Sequence, residues 1–190
     1  MVTANHPRYT SEVTGWATVV AYDPGGTTGW CVMSIRPVDL LTQDAEFARQ
    51  IKHFAAGQIG GAENEQIDQL AEMADMWSDA AVCGESFVPR KFNQTTEFYA
   101  PMRVNAVMGW VLHGNGRMLF TQSPEMAKSR WTDERLKANK SCGRPWYIVG
   151  QEHARDGVRH AALFIKRAKA QPTLRFQAWP HLFKRDGELK

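Results

Sequence analysis

Residues 16–23 read Trp-Ala-Thr-Val-Val-Ala-Tyr-Asp, β-branched and almost unbroken in apolar character. A run this short and this apolar predicts a strand covered on both faces, and so a central strand of a sheet. Pro24-Gly25-Gly26 then turns the chain, and residues 28–35 read as its hairpin partner. A short helical patch at 45–51 and an edge-like strand at 54–59, closed by Gly60-Gly61, follow. From Glu63 onward Ile67, Leu70, Ala71, Ala74 and Trp77 recur at helical spacing, predicting an amphipathic helix, and the strand 80–85 comes next. Pro101 opens a second helix through Val104, Val107, Met108 and Val111 to a Gly114-Asn-Gly116 stop, and residues 117–121 give a fifth strand. Ser123 and Thr132 are N-cap candidates for two short helices, and Gly150 precedes a long helix over about 151–169.

The predicted order is three strands, helix, strand, helix, strand, short helices and a long helix, without internal repeats. That order describes an α/β fold of the ribonuclease H type (RNase H-like), a mixed five-stranded sheet flanked by helices. The chain divides into an N-terminal extension (1–15), one domain (16–170) and a C-terminal tail or arm (171–190), the last marked by Pro172, Trp179-Pro180 and mixed charge. Trp16, Trp30 and Trp110 fall in strand or helix patterns and are expected in the core. Trp131, Trp146 and Trp179 sit in irregular stretches.

Composition narrows the class without choosing a function. With 190 residues, 43% hydrophobic and 23% charged, the chain suits one globular domain that needs no covalent staples. Cys31, Cys83 and Cys142 are too far apart for a disulfide framework or a zinc knuckle. No apolar run is long enough to span a membrane and the first residues lack a signal-peptide core, so a soluble, cytoplasmic protein is expected. A net charge of +3 is too mild to identify a polyanion partner. The stretch 128–140 is predominantly basic, and Arg155, Arg159 and Lys166 share one side of the last helix. These cations are either phosphate contacts or a solvated helix face.

The chemistry concentrates on three acids. Asp23 ends the first strand and Glu85 the fourth, so if these strands are adjacent and parallel the carboxylates are neighbours. Asp156 lies in the last helix with His153 and His160 on the same face, and Gly157 beside it permits a close backbone approach. Clustered carboxylates repel one another unless a cation sits among them, and Mg²⁺ or Mn²⁺ is the hard, oxygen-preferring choice. Taken singly, each acid is equally well explained as a cap or an ion-pair partner. The turn Asp23-Pro-Gly-Gly-Thr-Thr-Gly29 also matches the opening of sugar kinases and actin-like ATPases, but those need two lobes that 190 residues do not supply. The sequence contains no Gly-x-x-x-x-Gly-Lys-Ser/Thr motif, so no nucleotide cofactor is expected.

In order along the chain stand Ala21-Tyr-Asp-Pro-Gly-Gly-Thr-Thr-Gly-Trp30, Gly57-Gln-Ile-Gly-Gly-Ala-Glu-Asn-Glu-Gln66, Gly84-Glu-Ser-Phe-Val-Pro-Arg90, Pro101-Met-Arg-Val104, Thr132-Asp-Glu-Arg-Leu-Lys137 and Glu152-His-Ala-Arg-Asp-Gly-Val-Arg-His-Ala161. Over roughly four-fifths of its length, the chain thereby resembles the RuvC-like Holliday junction resolvases, particularly those of tailed phages, which would place it in the host cytoplasm. The resemblance implies a homodimer, two divalent ions per site and metal-dependent cutting of branched DNA to 5′-phosphate and 3′-hydroxyl ends. Carried over by position, Asp23, Glu85 and Asp156 are the metal-binding acids. His153 stands where bacterial members carry a further aspartate. Its neutral ring nitrogen can ligate but brings no charge, so a second metal would bind more weakly or favour Mn²⁺.

By the same resemblance Lys128 lies near the scissile phosphate, against the plainer reading of a helix-surface lysine. In the loop after Glu85, Phe92 is the candidate stacking wedge, with Arg90 and Lys91 on phosphates and Phe87 in the core. Arg155 and Arg159 are further DNA-contact candidates. Two rival functions remain: a broader nuclease acting on flaps, forks or single strands, and a non-catalytic DNA-binding module of the same fold.

Overall fold

The computed structural model describes residues 15–42, 46–87 and 99–190. The expected central strand is β1 (Ala17–Asp23), buried along its whole length. It pairs antiparallel with β2 (Thr28–Ile35) and parallel with β4 (Ala81–Glu85). On the outer edges, β3 (Ile51–Ile59) joins β2 antiparallel and β5 (Leu119–Gln122) joins β4 parallel, giving the order β3-β2-β1-β4-β5. β1 is apolar throughout because both of its faces are covered.

Strand alternation sends neighbouring side chains to opposite cores. Val20, Tyr22 and Val82 face Leu70 and Met73 of α2 (Glu63–Met76) and Val104, Met108 and Leu112 of α3 (Ala100–Gly114). Val19, Ala21, Ala81 and Cys83 face Val158, Ala161, Ala162 and Ile165 of α6 (Glu152–Ala170). The shorter helices α1 (Phe47–Gln50), α4 (Pro124–Arg130), α5 (Asp133–Ala138) and α7 (Pro172–Ala178) close this second core. The N-caps predicted at Ser123 and Thr132 accept hydrogen bonds from the backbone N–H of Met126 (3.3 Å) and Arg135 (3.5 Å). A two-stranded hairpin, β6 (Lys140–Ser141) and β7 (Arg144–Pro145), carries the chain from α5 towards α6.

Three local expectations change. β3 starts at Ile51 rather than residue 54, straight out of α1. Trp110 is 78% exposed rather than in the core, because α3 turns Ala100, Val104, Met108 and Leu112 inward and leaves Trp110 on the opposite side. Trp131, Trp146 and Trp179 are instead buried. The stretch 171–190, read as a tail or arm, contains α7 and packs against the domain. Trp179 donates its indole N–H to the Thr18 carbonyl of β1 (2.8 Å), and Phe183 is fully buried beside it. The Trp179–Thr18 contact joins residues far apart in sequence, so no local pattern announces it. No helix among the described residues is long and apolar enough to cross a membrane.

Candidate active site

The β1–β4 register pairs Ala21 with Cys83 and Tyr22 with Gly84, so Asp23 and Glu85 come next, side by side. Alternation puts both on the side of Ala21 and Cys83, the face covered by α6. Supports behind the strands hold these ends. Asn105 of α3 accepts from the Tyr22 hydroxyl (2.9 Å) and donates to the Glu85 carbonyl (2.7 Å). The buried Gln66 donates to the carbonyls of Gly26 (3.1 Å) and Gly61 (3.0 Å) and accepts from the Thr28 hydroxyl (2.6 Å), fastening the turn after Asp23.

The start of α6 reaches the strand ends because two glycines permit backbone contact. A Cβ on Gly29 would lie 1.7 Å from the His153 carbonyl oxygen, and one on Gly157 would lie 2.8 Å from the Trp30 carbonyl carbon. The close approach expected of Gly157 is thus made against β2. It seats His153, Asp156 and His160 over Asp23 and Glu85. His153 Nδ1 is 3.2 Å from Asp23 Oδ2, and His160 Nε2 is 2.9 Å from Glu85 Oε2. When the carboxylate is ionised it only accepts, so the facing ring nitrogen donates, and a neutral His153 in that arrangement keeps its lone pair on Nε2. The Gln122 amide packs against His160, 3.3 Å from Nδ1.

Electrostatics ties the three acids together. Burial, then the Glu85 carboxylate, pushes the Asp23 carboxyl up to about 6, with Asp156 adding to the rise and His153 and His160 opposing it. Lys128 lies 3.2 Å from Asp156 Oδ2. Burial works against its charge, but Asp156, Glu85 and Asp23 together outweigh that and hold its ammonium above the ordinary lysine range. Lys128 thus pairs with Asp156 from the surface and lies within electrostatic range of all three acids.

The remaining expected site residues separate. Arg159 is buried and committed: it donates to Asp156, to Asp133 and to the Trp131 carbonyl (2.8 Å). Arg155 donates to the Ile148 carbonyl (3.0 Å) and lies over the Tyr147 ring. Both guanidiniums are thus engaged within the fold rather than lying on a solvated helix face. Phe87 is half-buried. Arg90, Lys91 and Phe92 lie outside the described residues. Asp133 is not among the expected site residues, although it follows the Thr132 cap and lies in the piece 132–137 that carries the resemblance.

No three or more His, Cys, Asp or Glu side chains among the described residues are grouped to hold a metal ion together, and both oxygens of Asp156 are taken by Lys128 and Arg159. The donor chemistry nonetheless suits a hard divalent cation. Two adjacent carboxylates, one kept reluctant to ionise by burial and by the other, lie beside a third acid and an imidazole.

The solved structure of RuvC from T. thermophilus in complex with a Holliday junction substrate superposes on the chain with a TM-score of 0.56 at 14% identity, covering 81% of this chain and 96% of that one. A second RuvC structure, from Thermus thermophilus, gives 0.49 at 15% identity over 80% and 95% of the two chains. No family model and no curated protein matches. Similarity at this identity establishes the fold: the chain has the ribonuclease H-like architecture of RuvC, a mixed five-stranded sheet flanked by helices.

Proposed function

We propose that this protein is a metal-dependent endonuclease that resolves four-way DNA junctions, cutting to 5′-phosphate and 3′-hydroxyl ends. The observation that carries the reading is the meeting of Asp23 and Glu85 on adjacent parallel strand ends beneath Asp156, with the Asp23 carboxyl raised by burial and then by the Glu85 carboxylate. Asp23, Glu85, His153 and Asp156 are the residues that would hold Mg²⁺ or Mn²⁺, two ions per site. Such ions, when bound, supply an activated water and neutralise the leaving oxygen of a phosphodiester.

The chain's own groups do the rest. His160 fixes the Glu85 carboxylate and His153 the Asp23 carboxylate, so neither swings away from the cluster. Lys128, half exposed and charged, meets the phosphate and offsets the charge that develops on it. Burial, then the charges of Arg130 and Arg135, hold the Lys166 amine below its ordinary value. These like-charged groups suit a phosphate backbone. Arg90, Lys91 and Phe92 remain the proposed loop contacts, with Phe92 as the wedge at the branch.

Paired cuts need two sites related by a two-fold axis, which makes the homodimer part of the proposal. The apolar outer side of α3, with Met102, Val107 and Trp110 exposed, is the surface proposed to meet its copy. The test is nicking of four-way junctions, flaps and linear duplex by purified protein in Mg²⁺ and in Mn²⁺. Preferential, symmetric cutting of junctions is expected. Equal cutting of flaps and junctions would replace the reading by a broader branched-DNA nuclease, and no cutting in either metal would refute a catalytic role.

A further inference from the structure

Arg159 is an unusual residue to find beneath a cluster of acids. It sits in the middle of α6, one turn after Asp156, and is only 8% exposed. A buried guanidinium is tolerated only when its N–H groups are met by acceptors and its charge is balanced. Here Nε donates to the Trp131 carbonyl, Nη1 to Asp156 Oδ1 and Nη2 to Asp133 Oδ1. One cation is thus shared between two carboxylates: Asp156 at the site and Asp133 at the first turn of α5, whose side chain is 36% exposed. Arg155 Nε, 3.8 Å from the same Asp133 oxygen, adds to the pull on that residue.

The two oxygens of Asp156 are therefore unequal. Oδ1 is held by the buried Arg159, while Oδ2 is held at 3.2 Å by Lys128, whose side chain is 54% exposed. Only the Lys128 partner can move into solvent without leaving a buried charge alone. Oδ2 is accordingly the oxygen that Asp156 can offer to an incoming cation. Arg159 fixes the carboxylate plane that aims it. The guanidinium, however, competes with that cation for Asp156, and Asp133 limits the competition by drawing half of the fork towards α5.

We infer that Asp133 and Arg159 are positioning residues for Asp156, Arg159 orienting the carboxylate and Asp133 balancing the guanidinium so that the cluster keeps its affinity for a divalent cation. This rests on the metal-site reading above. Removing Arg159 would take a partner from Asp133 and Asp156 at once, so the relay is tested at Asp133, which is part-exposed and leaves the Thr132 cap in place.

Mn²⁺ binding to the wild type, Asp133→Asn and Asp133→Glu is measured by electron paramagnetic resonance of the free ion, with thermal melting in EDTA as the check on folding. Asp133→Asn should weaken Mn²⁺ binding about fivefold, from the loss of one negative charge near the site across a partly screened path. Its melting temperature should stay close to that of the wild type, and Asp133→Glu should recover most of the affinity. In nicking assays the Mn²⁺ concentration for half-maximal rate should rise in Asp133→Asn while the rate at saturating metal is kept.

Wild-type binding with no difference in Asp133→Asn overturns the relay alone. Equal weakening in Asp133→Glu and Asp133→Asn overturns the charge balance on which it rests. A wild type that binds no Mn²⁺ overturns the metal-site reading, and the relay with it.

Discussion

Replacing Asp23 by asparagine should make the metal-free protein more stable at neutral pH, although it removes a residue of the site. Burial and the Glu85 carboxylate raise the Asp23 carboxyl from 3.8 to about 6, and its side chain is only 11% exposed. A raised carboxyl contributes stability that is fully present below its unfolded value and is lost as pH rises through its folded value. The mismatch between the folded and unfolded values of Asp23 therefore destabilises the chain, relative to a neutral side chain, by about 3 kcal/mol at pH 7.5 and about 1 kcal/mol at pH 4.5. Asparagine keeps the shape and an acceptor for His153 but never ionises, so the variant escapes this penalty. For a domain of this size a gain of about 3 kcal/mol corresponds to a rise in melting temperature of roughly 6–10 °C. The assay is thermal denaturation of both proteins in EDTA at the two pH values. The advantage of Asp23→Asn should shrink to about a third at the lower pH, since the wild type is by then largely protonated. A variant no more stable than the wild type at pH 7.5, or an advantage independent of pH, would refute the crowding of charge at Asp23.

Mg²⁺ or Mn²⁺ should raise the melting temperature of the wild type but not of Asp23→Asn or Glu85→Gln, which should also lose nicking while still binding junctions in a mobility-shift assay. Asp156→Asn should be severely impaired. His153→Asp should retain nicking and gain relative activity in Mg²⁺, because it adds a negative oxygen donor, and inactivity in both metals would count against His153 as a ligand position. Gly157→Ala should destabilise the fold by about 3 kcal/mol in chemical denaturation, since its Cβ meets the Trp30 backbone, which cannot yield as a side chain would. Trp110→Glu should turn a dimer into a monomer by sedimentation velocity with an unchanged circular dichroism spectrum. A monomeric wild type would remove α3 as the dimer surface.

Much of this protein was legible along the chain, and what was legible is local. β2 lies at the positions its pattern predicts, and β1 and α2 differ from theirs by a residue or so, because burial on one face or two imposes a period that a short window displays. The caps at Ser123 and Thr132 were readable for the same reason: a hydroxyl and the N–H it satisfies are only three residues apart. Asp23, Glu85 and Asp156 stood out because each is an acid beside apolar residues where a core has no use for a charge. Their conjunction required the sheet order. Only the pairing of β1 with β4 makes Asp23 and Glu85 neighbours, and only the glycine contacts of α6 with β2 bring Asp156 to them.

The errors have the same origin. Helical periodicity placed Arg155 and Arg159 on one side of α6 but could not show what meets them there, so cations engaged within the fold read as solvent-facing ones. Trp110, expected in the core, lies exposed while Trp179, in an irregular stretch, is buried, because an aromatic ring is equally at home in a core or at a contact surface. The side on which it lands depends on which helix face finds a partner first. Periodicity reports which residues share a face, being a property of the backbone; what covers that face depends on packing between segments distant in sequence, and only the tertiary structure decides it.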